Sequence, residues 1–275
     1  MRIIAILLGL FLAFSPTANP KLSEADRITF VEVAPAKSGI TWIHDNGRSE
    51  ERWLPETCGG GGVFLDYDND GWLDFYCGTG DPDFRMLIPN RMFRNEGGAF
   101  FQDVTSATGT GHIQKGHGVA FADLDDDGCQ DVYVSMGGAY TGDFAQNALF
   151  ANPGSTNRFL KLKLVGKKAN RVAIGARIKV TVQNPRGTRE LHRVVGSGGS
   201  FGSNPLRQEI GLGDAETITS VEIRWPGSDT RQRLTGFELN RSYQIMEGDN
   251  NIVQLKLHPV SLRRESAVGK QAKSE

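Results

Sequence analysis

One stretch of this chain is written twice, and the way its aspartates are spaced leaves few folds open. Residues 61–76 read Gly-Gly-Val-Phe-Leu-Asp-Tyr-Asp-Asn-Asp-Gly-Trp-Leu-Asp-Phe-Tyr, and residues 118–133 read Gly-Val-Ala-Phe-Ala-Asp-Leu-Asp-Asp-Asp-Gly-Cys-Gln-Asp-Val-Tyr, 57 positions later. At the same offset Asn-Arg-Met-Phe-Arg-Asn (90–95) returns as Asn-Ala-Leu-Phe-Ala-Asn (147–152). A unit repeated over that length is a structural module used twice. Each aspartate loop lies between short apolar runs, 63–65 and 75–77 in the first copy, 119–122 and 132–134 in the second. Runs so short and so rich in β-branched and aromatic residues favour strands, so the module reads as strand, loop, strand. A partial echo, Phe30-Val31-Glu32-Val33 against Phe101-Gln102-Asp103-Val104, suggests a further partial unit near the start.

From about residue 157 the pattern changes. Leu160-Lys161-Leu162-Lys163-Leu164, Ile178-Lys179-Val180-Thr181-Val182 and Val221-Glu222-Ile223-Arg224-Trp225 alternate with a period of two, which sends one row of side chains to a core and the other to solvent. Several such strands between Gly- and Pro-bearing turns argue for a sandwich or barrel. The lysines and arginines on them are expected to form a plain solvated face. Residues 258–275 have few apolar anchors and are expected to be disordered.

The loops suit a hard cation that takes six to eight oxygens. Asp-x-Asp-x-Asp-Gly-x-x-Asp puts carboxylates at loop positions one, three, five and nine, with a backbone carbonyl on offer at seven. The expected ligands over 66–74 are Asp66, Asp68, Asp70, the carbonyl of Trp72, and Asp74; over 123–131 they are Asp123, Asp125, Asp127, the carbonyl of Cys129, and Asp131. Gly71 and Gly128 fall where positive φ is needed. Without a cation, four clustered carboxylates would repel one another and carry raised pKa values. Calcium, two ions per chain, fits better than magnesium, which demands octahedral geometry and keeps its waters. An EF-hand would need a glutamate at position twelve, where this chain has Cys77 and Val134. The bland alternative for either loop is a solvated acidic turn.

Met1-Arg2, an apolar run over 3–14 and Ser15-Pro16-Thr17-Ala18 read as a signal peptide over 1–18, too short for a comfortable membrane span. The expected location is secreted, periplasmic or cell-surface, with an uncleaved anchor as the open alternative. Export permits disulfides; of Cys58, Cys77 and Cys129 the first two flank one proposed hairpin, and whether they pair is left open. With 31 basic and 32 acidic residues the chain has no net field to draw in nucleic acid.

On these residues the chain resembles a known family. The two modules resemble the FG-GAP or VCBS repeats of β-propellers, whose blades carry calcium loops of this spacing. Ala173-Ile174-Gly175-Ala176-Arg177, Gly211-Leu212-Gly213 and Val221-Glu222-Ile223-Arg224-Trp225-Pro226-Gly227 resemble the ASPIC/UnbV domain of the cartilage acidic protein family. The resemblance implies repeats over 28–153, an ASPIC/UnbV-like β domain over 157–247 and an adhesion or matrix-like role. The expected fold is all-β, a partial β-propeller-type repeat region followed by a β-sandwich-like C-terminal domain. The repeat span holds two or three blades and cannot close a ring. Either its blades pack on the C-terminal domain or on another chain, or the sequence is an incomplete relative of a longer protein; open edges would otherwise invite self-association.

The expected function is a non-enzymatic adhesion, scaffold or interaction module with an extracellular or envelope protein or a glycan as partner. Gly198-Gly199-Ser200-Phe201-Gly202 fits Gly-x-Ser-x-Gly, but a nucleophile elbow needs a strand, a sharp turn and a helix, and β-structure is expected here. His112 and His117 flank the second module and read as half-exposed aromatics at a turn. The alternative is a carbohydrate-active protein, a lectin-like module or a hydrolase, with Trp42, Trp53 and Trp72 as stacking candidates.

Overall fold

The computed structural model describes residues 29–45, 49–52, 54–57, 59–79, 88–113, 116–137, 141–142, 144–198, 202–228 and 230–262. The expected signal peptide, Trp53, Cys58, Ser200 and residues 263–275 lie outside them. Met1–Ala34 and Pro35–Glu275 are separate units. Of the first, residues 29–34 are exposed and irregular. The echo at 30–33 therefore makes no strand, with Phe30 96% exposed; a strand without a sheet to pair with gains no ladder.

Among the described residues the second unit is all-β apart from three four-residue helices, Pro35–Ser38, Leu54–Thr57 and Thr105–Thr108. In the repeat region β1 (Gly62–Leu65), β2 (Asp74–Cys77), β3 (Arg91–Asn95) and β4 (Phe101–Asp103) form an antiparallel sheet in sequence order. β5 (Gly116–Ala122), β6 (Asp131–Met136) and β7 (Ala148–Phe150) form the second sheet. The repeat holds residue for residue: Leu65↔Asp74 and Phe75↔Phe93 in the first sheet become Ala122↔Asp131 and Val132↔Phe150 in the second. Period-2 alternation buries Val63, Leu65 and Tyr76 of one sheet with Val119, Val132 and Val134 of the other in one shared core. Neither blade could bury its apolar face alone.

The two sheets differ at their ends. A fourth strand in the second would start at Arg158, 57 residues after Phe101. There the chain begins β8 (Arg158–Val165), which instead pairs with β11 (Gln208–Gly213) and β14 (Arg241–Met246), with β15 (Ile252–Leu255) beyond. A second C-terminal sheet has the order β10 (Gly187–Val194), β9 (Arg177–Asn184), β12 (Thr217–Arg224) and β13 (Arg231–Leu234). Both sheets bury their apolar rows in one core that includes Leu160, Leu162, Val180, Leu212, Val221, Ile223, Trp225 and Ile245, the expected sandwich. Each buried leucine or isoleucine contributes about 1.5–3 kcal/mol. Trp225 meets its polar need inside the core, its indole N–H donating to Gln232 Oε1 at 2.5 Å.

Two residues fix joints in this arrangement. Gly211 of β11 lies against the first aspartate loop: a Cβ there would collide with Asp66 Oδ2 and stand 2.6 Å from the Asn69 backbone. Glu247, just after β14, accepts hydrogen bonds at Oε2 from the amides of Lys167, Lys168 and Ala169 at 2.8, 2.7 and 2.8 Å, and at Oε1 from the Ser228 hydroxyl at 2.6 Å. Burial alone would raise its pKa, but the hydroxyl and the three amides outweigh it and hold the carboxyl down at about 2.

Gly211→Ala is expected to destabilise the protein by about 1–3 kcal/mol through overpacking, read as a lower denaturation midpoint in urea. For Glu247 the folded pKa lies below the unfolded value of about 4.3. Its contribution is therefore full above that value and is lost as pH falls towards 2. Urea melts between pH 5 and 2 should show Glu247→Gln less stable than the parent at pH 5, with the difference closing at the acid end. An undiminished gap at pH 2 would contradict the assignment.

Candidate metal centre

Each aspartate loop is a tight turn closed by its own carboxylates. In the first, Gly71 N donates to Asp66 Oδ1 (3.3 Å), Asp70 N to Asp68 Oδ1 (3.2 Å), Trp72 N to Asp70 Oδ1 (2.7 Å) and Tyr67 N to Asp74 Oδ2 (3.1 Å), while Asn95 N of β3 donates to Asp74 Oδ1 (2.8 Å). The second loop makes the same bonds: Gly128 N to Asp123 Oδ2 (2.7 Å), Asp127 N to Asp125 Oδ1 (3.4 Å), Cys129 N to Asp127 Oδ1 (2.8 Å), Leu124 N to Asp131 Oδ2 (2.9 Å) and Asn152 N to Asp131 Oδ1 (2.8 Å). Gly71 and Gly128 have φ of 88° and 101°, the positive values that the spacing predicts, and Asn69 and Asp126 add a left-handed residue at 59° and 61°.

The loops also touch each other. Asp66 N donates to Gln130 Oε1 at 2.9 Å, Asn69 Nδ2 to the Gly128 carbonyl at 2.9 Å, and Asn152 Nδ2 to the Tyr67 carbonyl at 2.7 Å.

Of the eight expected carboxylates, the structure brings six into two clusters. Asp66, Asp68 and Asp74 each place an oxygen within 4.8 Å of the others, and so do Asp123, Asp125 and Asp131. Asp70 and Asp127 stand outside these clusters, each turned back to an amide two residues on. A cation with oxygens at 2.3–2.6 Å fits among donors spaced in this way. Asp123 Oδ1 is buried with no hydrogen-bond partner, which leaves an open acceptor at the second cluster.

In the first loop burial is the largest cause that raises Asp66 to about 7 and Asp74 to about 8. Arg193 pulls Asp66 back, and the Asn95 amide does so for Asp74, while neighbouring aspartates push both further up. Burial also raises Asp68, Asp70, Asp127 and Asp131. So many acids resisting ionisation together is the signature of a site that lacks positive charge.

Some of that charge comes from the C-terminal sheets, which sequence reasoning missed. Lys161, expected on a solvated face, is 1% exposed and pairs with Asp123 Oδ2 and, at 2.9 Å, with Asp126 Oδ1. Its row on β8 is indeed turned from the sandwich core, but the second loop covers that row. Arg193 of β10 reaches Asp66 Oδ2 at 3.4 Å, and Arg189 donates to the Asp70 carbonyl at 2.6 Å. Arg207 stands 3.5 Å from Asp126 and 3.2 Å from Glu209, whose carboxylate accepts from Asp123 N. The segment expected to be disordered also starts here: His258 N donates to Asp126 Oδ2 at 2.7 Å and Val260 N to the Asp125 carbonyl at 2.8 Å.

The remaining candidates stand apart. Trp72 has the Arg189 guanidinium over its ring at 5.0 Å, and Trp42 packs edge-on against His44 at 5.5 Å. His112 and His117 are half-buried, in the turn before β5 and within it. From Gly202 the chain runs into β11 without a helix. Cys77 and Cys129 are buried free thiols.

A family model described as FG-GAP-like repeat matches residues 66–134, a span that holds both loops, and one described as ASPIC and UnbV matches residues 166–252. No curated protein matches the chain. Among solved structures the chain is similar to one from Bacteroides ovatus ATCC 8483, described as a "putative cell adhesion protein", at 11% identity and a TM-score of 0.26, over 75% of this chain and 89% of that one. So loose a likeness bears on neither fold nor function. The chain thus carries an FG-GAP-like repeat region followed by an ASPIC and UnbV domain.

Proposed function

We propose that this chain is an exported, non-enzymatic interaction module in which two calcium ions rigidify the aspartate loops and, through them, the joint with the C-terminal domain. The observation that carries the reading is the duplicate cluster of buried carboxylates, built twice with the same hydrogen bonds. Asp66, Asp68 and Asp74 would hold one ion, and Asp123, Asp125 and Asp131 the other. What calcium supplies is charge, which lets the carboxylates ionise without repulsion. The two loops are not equivalent, because the Lys161 ammonium already meets part of the second loop's charge, whereas Arg193 stands 3.4 Å from Asp66 in the first. The apolar run over 3–14 supports export, and no helix among the described residues is long and apolar enough to cross a membrane.

Calorimetric titration with calcium should find two sites, one lost in Asp68→Ala and the other in Asp125→Ala. Chelator should lower the melting temperature; at a hundredfold excess over Kd each ion adds about 2.7 kcal/mol. No heat of binding together with identical melts would sink the calcium reading and leave the loops as acidic turns.

Lys161→Met removes the cation from a buried pair and should destabilise the chelated protein by about 3–5 kcal/mol. Added calcium should recover more stability in this variant than in the parent, since the ion then carries the whole neutralising role. An equal calcium-induced shift in both would show that ammonium and metal do not share the site.

A further inference from the structure

The basic residues of the C-terminal sandwich are not one solvated face. On the outer side of the sheet β10-β9-β12-β13, side chains stand in rows set by strand register. One row is electrically closed: Glu222 is the cross-strand partner of both Lys179 and Arg233, lying 3.3 and 3.9 Å from their nitrogens, and Lys179 reaches Glu190 on its other side at 3.1 Å. Two residues along, the next row is open. Arg224 is the direct partner of Arg177 on one side and Arg231 on the other, and all three are exposed. Among the described residues no carboxylate lies within ion-pair distance of any of them. Asp229, in the turn between β12 and β13, lies outside the described residues; set against it, the row still keeps a surplus of two positive charges.

Like charges placed directly opposite each other on neighbouring strands destabilise a sheet. Three guanidinium groups on adjacent strands, about 4.8 Å apart from strand to strand, are therefore a cost to the fold that a bound anion would remove. The surface beneath them is shaped for one. A shallow depression of about 410 Å³ runs over Arg177, Arg224, Arg231 and Arg233, and a second of about 390 Å³ continues from Arg177 and Arg224 to the turn at Pro226, Gly227 and Ser228.

We propose that the Arg177–Arg224–Arg231 row binds an extended polyanion bearing sulfate or carboxylate groups, an acidic polysaccharide. Guanidinium forks grip such oxyanions in bidentate fashion, which ammonium groups cannot do. The depressions are open, and charged and polar residues make up most of the lining of the first, unlike the enclosed apolar pockets that take small molecules. Single-stranded nucleic acid is the poorer match, because Trp225, the aromatic nearest the row in sequence, is buried rather than offered as a stacking platform. The site gives the proposed interaction role its partner chemistry, and it works whether or not the aspartate loops hold calcium.

The test is binding of the full chain to immobilised heparin, a sulfated chain, and to polygalacturonate, a carboxylated one, beside neutral dextran and duplex DNA, in calcium and in chelator. The parent should bind one or both acidic polysaccharides in either condition, and dextran in neither. R177Q/R224Q/R231Q should bind at least about tenfold more weakly, with a salt dependence shallower by about one per arginine removed. K163Q/R241Q, which takes two exposed charges from β8 and β14 on the other sheet, should keep most of the binding. Whichever polymer binds more tightly identifies the oxyanion. Folding is checked by melts: the triple variant should melt at or above the parent in low salt, because the repulsion within the row is gone. Equal binding by parent and triple variant, no binding at low salt, or DNA bound as tightly as the polysaccharides would overturn the proposal. Loss of calcium binding alone would not.

Discussion

The interaction on which the rest of this structure depends is the burial of two aspartate loops between their own blades and the C-terminal sandwich. Carboxylates are costly to take out of water, and six of them are clustered here. Backbone amides satisfy part of the demand, through the same five amide-to-carboxylate bonds in each loop. Amides cannot remove the charge, however, and so Asp66 and Asp74 are pushed up to about 7 and 8. What the loops need from outside is positive charge. The C-terminal sheets bring it through Lys161 and Arg193, and a cation would complete it.

That need explains how an incomplete set of blades can be stable. The second sheet stops at three strands because the segment in the fourth position, β8, is taken by the sandwich. The same strand presents Phe159 and Lys161 to the second loop, with Phe159 lying against Gly128. β8 is thus edge cover for the repeat and a core strand for the sandwich at once. Gly211 makes the matching contact with the first loop, which gives a packing reason for a glycine in Gly211-Leu212-Gly213: any larger residue would press on Asp66 and Asn69.

Much of this was legible in the sequence. The offset of 57 predicts strand pairs, and the register reproduces them, with Leu65↔Asp74 becoming Ala122↔Asp131. Period-2 alternation places Leu160, Leu162 and Leu164 in the core. What alternation leaves open is the fate of the other row, because it tells which side a residue faces and not what lies there. Lys161 and Lys163 are indistinguishable by pattern, yet the first is buried against a loop and the second is exposed. Only the path of a segment some 35 residues earlier in the chain (Asp126 to Lys161) separates them. The echo at 30–33 failed for a related reason: a strand-like string becomes a strand only where neighbours complete its ladder. Spacing alone does not separate Asp70 and Asp127, which accept from amides two residues on, from the six carboxylates that cluster.

The basic residues of the sandwich therefore answer three different demands that composition alone cannot tell apart. Lys161, Arg189 and Arg193 compensate buried acids and are fixed by the fold. Lys179 and Arg233 flank Glu222 in a closed surface row, where exposed pairs contribute little to stability. Arg177, Arg224 and Arg231 have no such account: their register sets like charges side by side, and no described carboxylate relieves them. A charge that stabilises nothing within its own chain is best explained by something outside it. In this molecule that argument singles out the outer face of β9, β12 and β13, on strands whose neighbour β10 sends arginines to the aspartate loops.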